Sequence, residues 1–269
     1  LGKRWKEIKN KKNTKYTKTN KKYKLEKSKK NKLIADIRDL MINKLSGVLV
    51  NNTDNLIITY FSGLVTVGLC SNYNLLINII NTTLKQFFDG IQASLGNLNA
   101  VESREKRELY FDITNFINFW IFGFCTICII LLIDDVIKLW IGDKYILDNA
   151  IKYILAINFY IVGMQNSVWS YNAKFILAIM AIINLALSII LGNEMGLFGI
   201  LFATTIARIT TNVWYDPYIV YKLIFNKSAK IYFIKYIENI IIIIVTIFIT
   251  NYVIGCINMD INLYIQFIF

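Results

Sequence analysis

The residues that invite a chemical reading are polar ones set in apolar surroundings. Asp54 lies in the run Asn51-Asn52-Thr53-Asp54-Asn55, bounded on both sides by Val, Leu and Ile. Spacings of three and four put Asn51, Asp54 and Asn55 on one face of a helix. Further on, Asn74, Asn78, Asn81 and Lys85 recur at i, i+4, i+7 and i+11, one continuous stripe. Thr204, Arg208, Thr211 and Asn212 repeat the arrangement around a central arginine. In a membrane such residues are costly: a charge at the bilayer centre loses roughly 3 kcal/mol on a lenient insertion scale, so it must meet protein or water and not lipid. Three polar-lined helices therefore predict a water-filled cavity, as in a transporter. A phosphate-bearing substrate would suit it, Arg208 acting as a bidentate clamp and Lys85 as a point charge. Snorkelling of Lys85 and Arg208 to nearby headgroups is the alternative.

The elements that carry these stripes follow from composition. Of 269 residues 55% are hydrophobic and one is proline, and the mean hydropathy is +0.46. A soluble domain of that composition would expose too much apolar surface, so the fold class expected is all-α, a polytopic membrane protein. A bilayer core takes about 20 mostly apolar helical residues. Stretches 43–61, 66–93, 111–133, 147–168, 175–191, 196–213 and 231–255 meet that, giving about seven transmembrane helices. The connections 62–65, 170–174 and 192–195 are so short that consecutive helices should form antiparallel hairpins. The charged stretch 94–108 reads as a loop, and Tyr215-Asp216-Pro217 as the turn that closes the sixth helix.

Charge sets the orientation. Residues 1–44 hold 17 Lys and Arg against 4 Asp and Glu, a net of +13, so the rest of the chain, at −1, has none of the overall +12. A basic block directly before the apolar part reads as a cytoplasmic flank, residues 1–42, with no nucleic-acid partner expected. With seven alternating helices, Arg104, Lys106, Arg107, Lys174, Lys222, Lys227, Lys230 and Lys235 fall inside. Only Lys138, Lys144 and Lys152 fall outside, as the positive-inside rule requires. The domains expected are a Lys-rich cytoplasmic segment 1–42, a transmembrane bundle 43–255 and a truncated tail 256–269. A start at Leu1 and the short apolar end read as a fragment.

Enzyme chemistry finds little support. The absence of histidine removes Ser/His/Asp and Cys/His nucleophilic sites and imidazole zinc sites. Cys125 and Cys128 form a nominal CxxC, but inside an apolar run a thiolate is disfavoured, and packing is the better reading. Asp134 and Asp135, neighbours on a helix, cannot face each other as an acid/base pair. No catalytic residue, cofactor or metal site is expected.

Several strings, taken in order, resemble a known family. Met41-Ile42-Asn43-Lys44-Leu45-Ser46-Gly47, Asn52 to Ile58, Val67-Gly68-Leu69 and Ser71-Asn72-Tyr73 are followed by Ser94 to Leu98 and Leu139-Trp140-Ile141-Gly142. Asn184 and Ser188, Gly196 to Gly199, and Trp214-Tyr215-Asp216-Pro217-Tyr218 complete the series. Together they resemble the C-terminal half of polysaccharide and oligosaccharide-lipid flippases, in the multidrug, oligosaccharidyl-lipid and polysaccharide exporter superfamily. The resemblance implies a second six-helix bundle beside a cationic cavity, working by alternating access. It implies flipping of undecaprenyl-diphosphate-linked repeat units across a bacterial plasma (inner) membrane, for capsule, O-antigen or exopolysaccharide. The implied partners are the lipid-linked oligosaccharide, membrane lipids, and polysaccharide polymerase and glycosyltransferases. A multidrug and toxin exporter of the same superfamily, or an inactive fragment, is the alternative.

Overall fold

The computed structural model describes residues 27–101, 103–166 and 174–268; the side chains of 48–52, 92–101 and 257–268 are among those outside the description. Backbone contacts group the chain into two units, 1–40 and 41–269, and the helical bundle belongs to the second. In the first, residues 27–40 are helical, with Leu33, Ile34 and Ile37 exposed. The segment expected as a cytoplasmic loop up to residue 42 is thus already helix from Lys27, since Leu, Ile, Lys and Arg are good or neutral helix formers and no Gly or Pro interrupts them.

Every element among the described residues is a helix, as the composition predicts. The helices are α1 (Lys27–Val101), α2 (Arg104–Ile141), α3 (Asn149–Gln165), α4 (Lys174–Thr210), α5 (Asn212–Ile219) and α6 (Lys230–Ile268). A 3₁₀ turn at Asp143–Tyr145 joins α2 to α3, and a π-helical turn, Val220–Phe225, extends α5. Four stretches are long and apolar enough to cross a membrane: Thr53–Ile91, Arg104–Ile141, Ile176–Leu223 and Lys230–Cys256. They mark the chain as a helical membrane protein.

Two of those stretches are not straight. α4 contains Gly196 at φ 57°, ψ −135°, outside the helical region. Thr204 Oγ1 lies 3.0 Å from Asn184 Oδ1, although twenty residues of continuous helix would part them by about 30 Å. A Cβ on Gly192 would lie 2.9 Å from Ile200, and one on Gly199 would collide with the carbonyl of Leu191. α4 is therefore an antiparallel hairpin, its arms 174–195 and 197–210 folded at Gly196, one residue past the expected turn 192–195. Gly63 breaks α1 in the same way, at φ 83°, ψ 164°, within the expected turn 62–65. Asp54, on its first arm, interacts electrostatically with Cys70 on its second. The φ values are ones that side-chain-bearing residues rarely adopt, which is why glycine occupies both bends.

Two expectations about connections fail. The charged stretch 94–108 is no loop: α1 runs to Val101 and α2 starts at Arg104. Glu, Lys and Arg are strong helix formers, so charge alone does not end a helix. Pro217 does not close a helix either; it sits inside α5. Its ring fixes φ near −65°, which suits a helix, and it forfeits one backbone hydrogen bond. The break falls instead at Thr211, φ −121°, ψ −91°.

Packing distinguishes the two ends of the bundle. At one, Phe61 and Ser62 meet Gly192 and Gly196, and the fully buried Tyr73 donates its hydroxyl hydrogen to Asp134 (2.7 Å) while accepting from the Leu147 N–H (3.1 Å). Lys152 completes this knot at 2.6 Å from Asp134. At the other, Lys227 pairs with Glu108 (2.6 Å) and Lys235 with Asp112 (3.0 Å), around the aromatic cluster of Phe111, Tyr221, Phe225 and Tyr232. Between the ends, Gly163 lets α3 approach α2 so closely that a Cβ there would overlap the Phe122 ring. Asn118 Nδ2 donates to the Gly163 carbonyl across the same contact (2.9 Å).

Candidate functional site

The site begins with Asp54, on the first arm of α1. Asn184 donates an amide hydrogen to its Oδ1 (3.1 Å), and Thr204 sets a hydroxyl 2.9 Å from its Oδ2. Ser188, one turn on from Asn184, lies 3.4 Å from the Asn184 amide oxygen. Both partners come from the α4 hairpin, one from each arm, so the bend at Gly196 is what assembles them. Thr204 also reaches back to the Ile200 carbonyl (3.4 Å), the usual resort of a hydroxyl within a helix.

Asp54 and Thr204 of this cluster line a cavity of about 1020 Å³. Its lining includes Asp54, Asn55, Asn74, Asn78, Asn81, Lys85, Thr204 and Arg208, residues singled out by spacing on three separate helices. Asn51 lies outside the residues described with their side chains. α3 adds Asn158, Phe159 and Gln165 to the lining.

The details of the lining alter the expected roles. Lys85 is half exposed and pairs with Asp89 at 3.2 Å, an i, i+4 pair, so it is not a free point charge. Arg208 interacts electrostatically with Asp54, and its Nε is buried with no hydrogen-bond partner. Thr211 and Asn212 leave the stripe, because the helix breaks at Thr211; Asn212 turns to Asp216 (3.4 Å), beside Gln165 and Tyr236 and away from Lys85. Asn81 Oδ1, Asn158 Oδ1 and Gln165 Nε2 are likewise buried and unpartnered. Leaving such atoms unpartnered costs about 1–3 kcal/mol each.

Asn184 and Ser188 carry weight that spacing arguments passed over. Their i, i+4 spacing in an otherwise apolar run is the signal in the sequence that marks them. Asn158 and Gln165, one face of α3 seven residues apart, gave a similar sign.

Chemically, the Asp54 carboxylate is held by an amide N–H and a hydroxyl, an arrangement fit to hold a proton and offering no soft metal ligand. Among the described residues no three His, Cys, Asp or Glu gather as metal ligands. The four cysteines are free thiols, Cys70 buried and Cys125 and Cys128 half-buried. Comparison with protein-family models, with curated proteins and with solved structures returned no match.

Proposed function

We propose that this chain is the second bundle of a polysaccharide or oligosaccharide-lipid flippase in a bacterial plasma membrane, carrying undecaprenyl-diphosphate-linked repeat units. Seven membrane passes belong to the same proposal: two from α1, one each from α2 and α3, two from α4 with α5 continuing the second, and one from α6. Folding at Gly63 and Gly196 turns two of the four long apolar stretches into pairs. α3, with 17 residues, spans about 25 Å as a helix and supplies the seventh. Trp140, Tyr145 and Tyr153 at one end and Trp214, Tyr215 and Tyr218 at the other suit the two headgroup regions, where amphipathic rings sit.

The observation that carries the reading is the cavity, lined by residues of three polar stripes that include an arginine whose Nε has no hydrogen-bond partner. A diphosphate fits a guanidinium, and the carboxamides of Asn74, Asn78, Asn81 and Asn158 fit the hydroxyls of a glycan. Asp54, tied to two helices, is the candidate coupling group. The multidrug-exporter reading would want a cavity without an arginine in its lining, since an arginine repels cationic drugs.

The experiment is export of lipid-linked glycan in a flippase-null strain that expresses the protein, with membrane levels of each variant checked. Arg208→Lys should already impair export, because a point charge does not reproduce bidentate contact, and Arg208→Gln should impair it further. Normal export by Arg208→Gln removes the phosphate clamp.

A further inference from the structure

Asp216 is buried inside the apolar stretch Ile176–Leu223 and does not line the large cavity. Its Oδ2 accepts from Asn212 Nδ2 at 3.4 Å, a long bond, and among the described residues no lysine or arginine pairs with it. Lys222, further along the chain, gives its ammonium to the Tyr218 hydroxyl instead (3.1 Å). A carboxylate in such a stretch is costly without a counter-charge, and a bound cation or a proton is what lowers that cost.

The chain around Asp216 leaves oxygen atoms available. Pro217 has no N–H, so the Val213 carbonyl lacks the donor that an uninterrupted helix would give it. The break at Thr211 sets Asn212 at the first position of α5, where its Oδ1 accepts from the Thr211 hydroxyl (3.1 Å) and keeps a second lone pair. Asn212, Val213 and Asp216 line a small cavity of about 10 Å³, with Gln165 of α3 and Tyr232 and Tyr236 of α6 on its other sides. The two tyrosine rings stack at 6.2 Å. Gln165 Nε2 is buried without a hydrogen-bond partner, and a half-turn of that amide exchanges its nitrogen for its oxygen.

Space and charge select the occupant. A cavity of this size holds one water or one small ion. Carboxylate, carboxamide, main-chain carbonyl and phenol oxygens are hard donors and suit a hard cation. One carboxylate balances one positive charge, whereas calcium sites draw on more acidic oxygens and magnesium keeps its waters. Carbonyls freed at helix interruptions serve as sodium ligands in membrane proteins. Gln165 also lines the large cavity, so that side chain separates the two spaces and an ion in the larger one reaches the smaller past it.

We infer that Asp216, with the Val213 carbonyl and the amides of Asn212 and Gln165, binds a monovalent hard cation of about sodium's size between α3, α5 and α6. The site is separate from Asp54 and does not depend on which cargo the large cavity takes.

The test is thermal unfolding of the full chain in lipid nanodiscs, in sodium chloride against N-methylglucamine chloride at equal ionic strength. It is run on Asp54→Asn, so that the other buried carboxylate contributes no ion. Sodium should raise the melting temperature of Asp54→Asn, and calcium should not replace it. Adding Asp216→Asn should abolish the rise. Pro217→Ala in the same background returns an N–H to the Val213 carbonyl while keeping the charge, and should raise the sodium needed for half the effect several-fold. That variant keeps the site open to refutation if Asp216→Asn does not fold. No rise in Asp54→Asn, or an equal rise after Asp216→Asn, overturns the site. Stabilisation by acid in place of sodium gives Asp216 a proton and overturns the cation, and an equal rise with calcium overturns the monovalent assignment. An unchanged sodium midpoint in Pro217→Ala overturns the role of the Val213 carbonyl.

Discussion

Asn184 and Thr204 sit twenty residues apart in one run of helix, yet their side chains meet at 3.0 Å and share Asp54 between them. The contact exists because the run folds back on itself at Gly196. It converts an apolar stretch with scattered polar residues into a walled site.

The fold-back is open to direct test. Cysteines at 184 and 204 should form a disulfide on mild oxidation, with Asn184→Cys and Thr204→Cys combined in an otherwise cysteine-free chain. An uninterrupted helix would hold them about 30 Å apart. A mobility shift on reduction after cleavage between the two positions is the measurement, and its absence under oxidation speaks for a straight helix.

Glycines at close approaches should rank by what surrounds them. Gly199→Ala pushes a methyl into the Leu191 carbonyl, which is backbone, so the hairpin itself must open. Gly68→Ala meets nothing within 4 Å. Thermal unfolding in detergent should show a large loss for the first and none or a slight gain for the second, and equal behaviour of the two contradicts the packing.

Gly163→Ala drives a methyl into the Phe122 ring. Overpacking of this kind costs about 1–3 kcal/mol or more. The double variant Gly163→Ala with Phe122→Ala should be less damaged than the sum of its parts, because the clash is gone. Additive losses would mean that α2 and α3 do not meet there.

Asp54→Asn keeps the shape of the side chain while removing its charge. On the proposed transport function, export should fall sharply with the protein still in the membrane. Asp54→Leu should cost more in stability, since it leaves the Asn184 amide hydrogen without its acceptor, at about 1–3 kcal/mol, while the Thr204 hydroxyl keeps the Asn184 oxygen. Unchanged export by Asp54→Asn reduces the residue to a packing role.

Orientation is checked with an impermeant thiol reagent on intact cells. Lys144→Cys should label from outside, and Arg104→Cys only after permeabilisation; both positions are exposed. The same labelling for both would invert or discard the alternation of helices.

Helical class, the membrane setting and the polar stripes were open to reading from the linear sequence, for one physical reason. Side chains three and four residues apart share a helix face, so Asn74, Asn78, Asn81 and Lys85 declare a polar stripe before any partner is known. The cost of polar groups in lipid then requires such stripes to face protein or water. The glycines at 63 and 196 could likewise be seen to interrupt apolar runs. What periodicity cannot supply is which stripes meet and what each charge touches. That Asp54 is held by Asn184 and Thr204, that Lys85 is occupied by Asp89 while the Arg208 Nε is left without a partner, and that Thr211 and Asn212 drop out of the stripe depend on two bends and a helix break. Tertiary packing decides these, because a single backbone residue outside the helical region redirects every side chain beyond it, and its conformation is chosen by contacts distant in the chain.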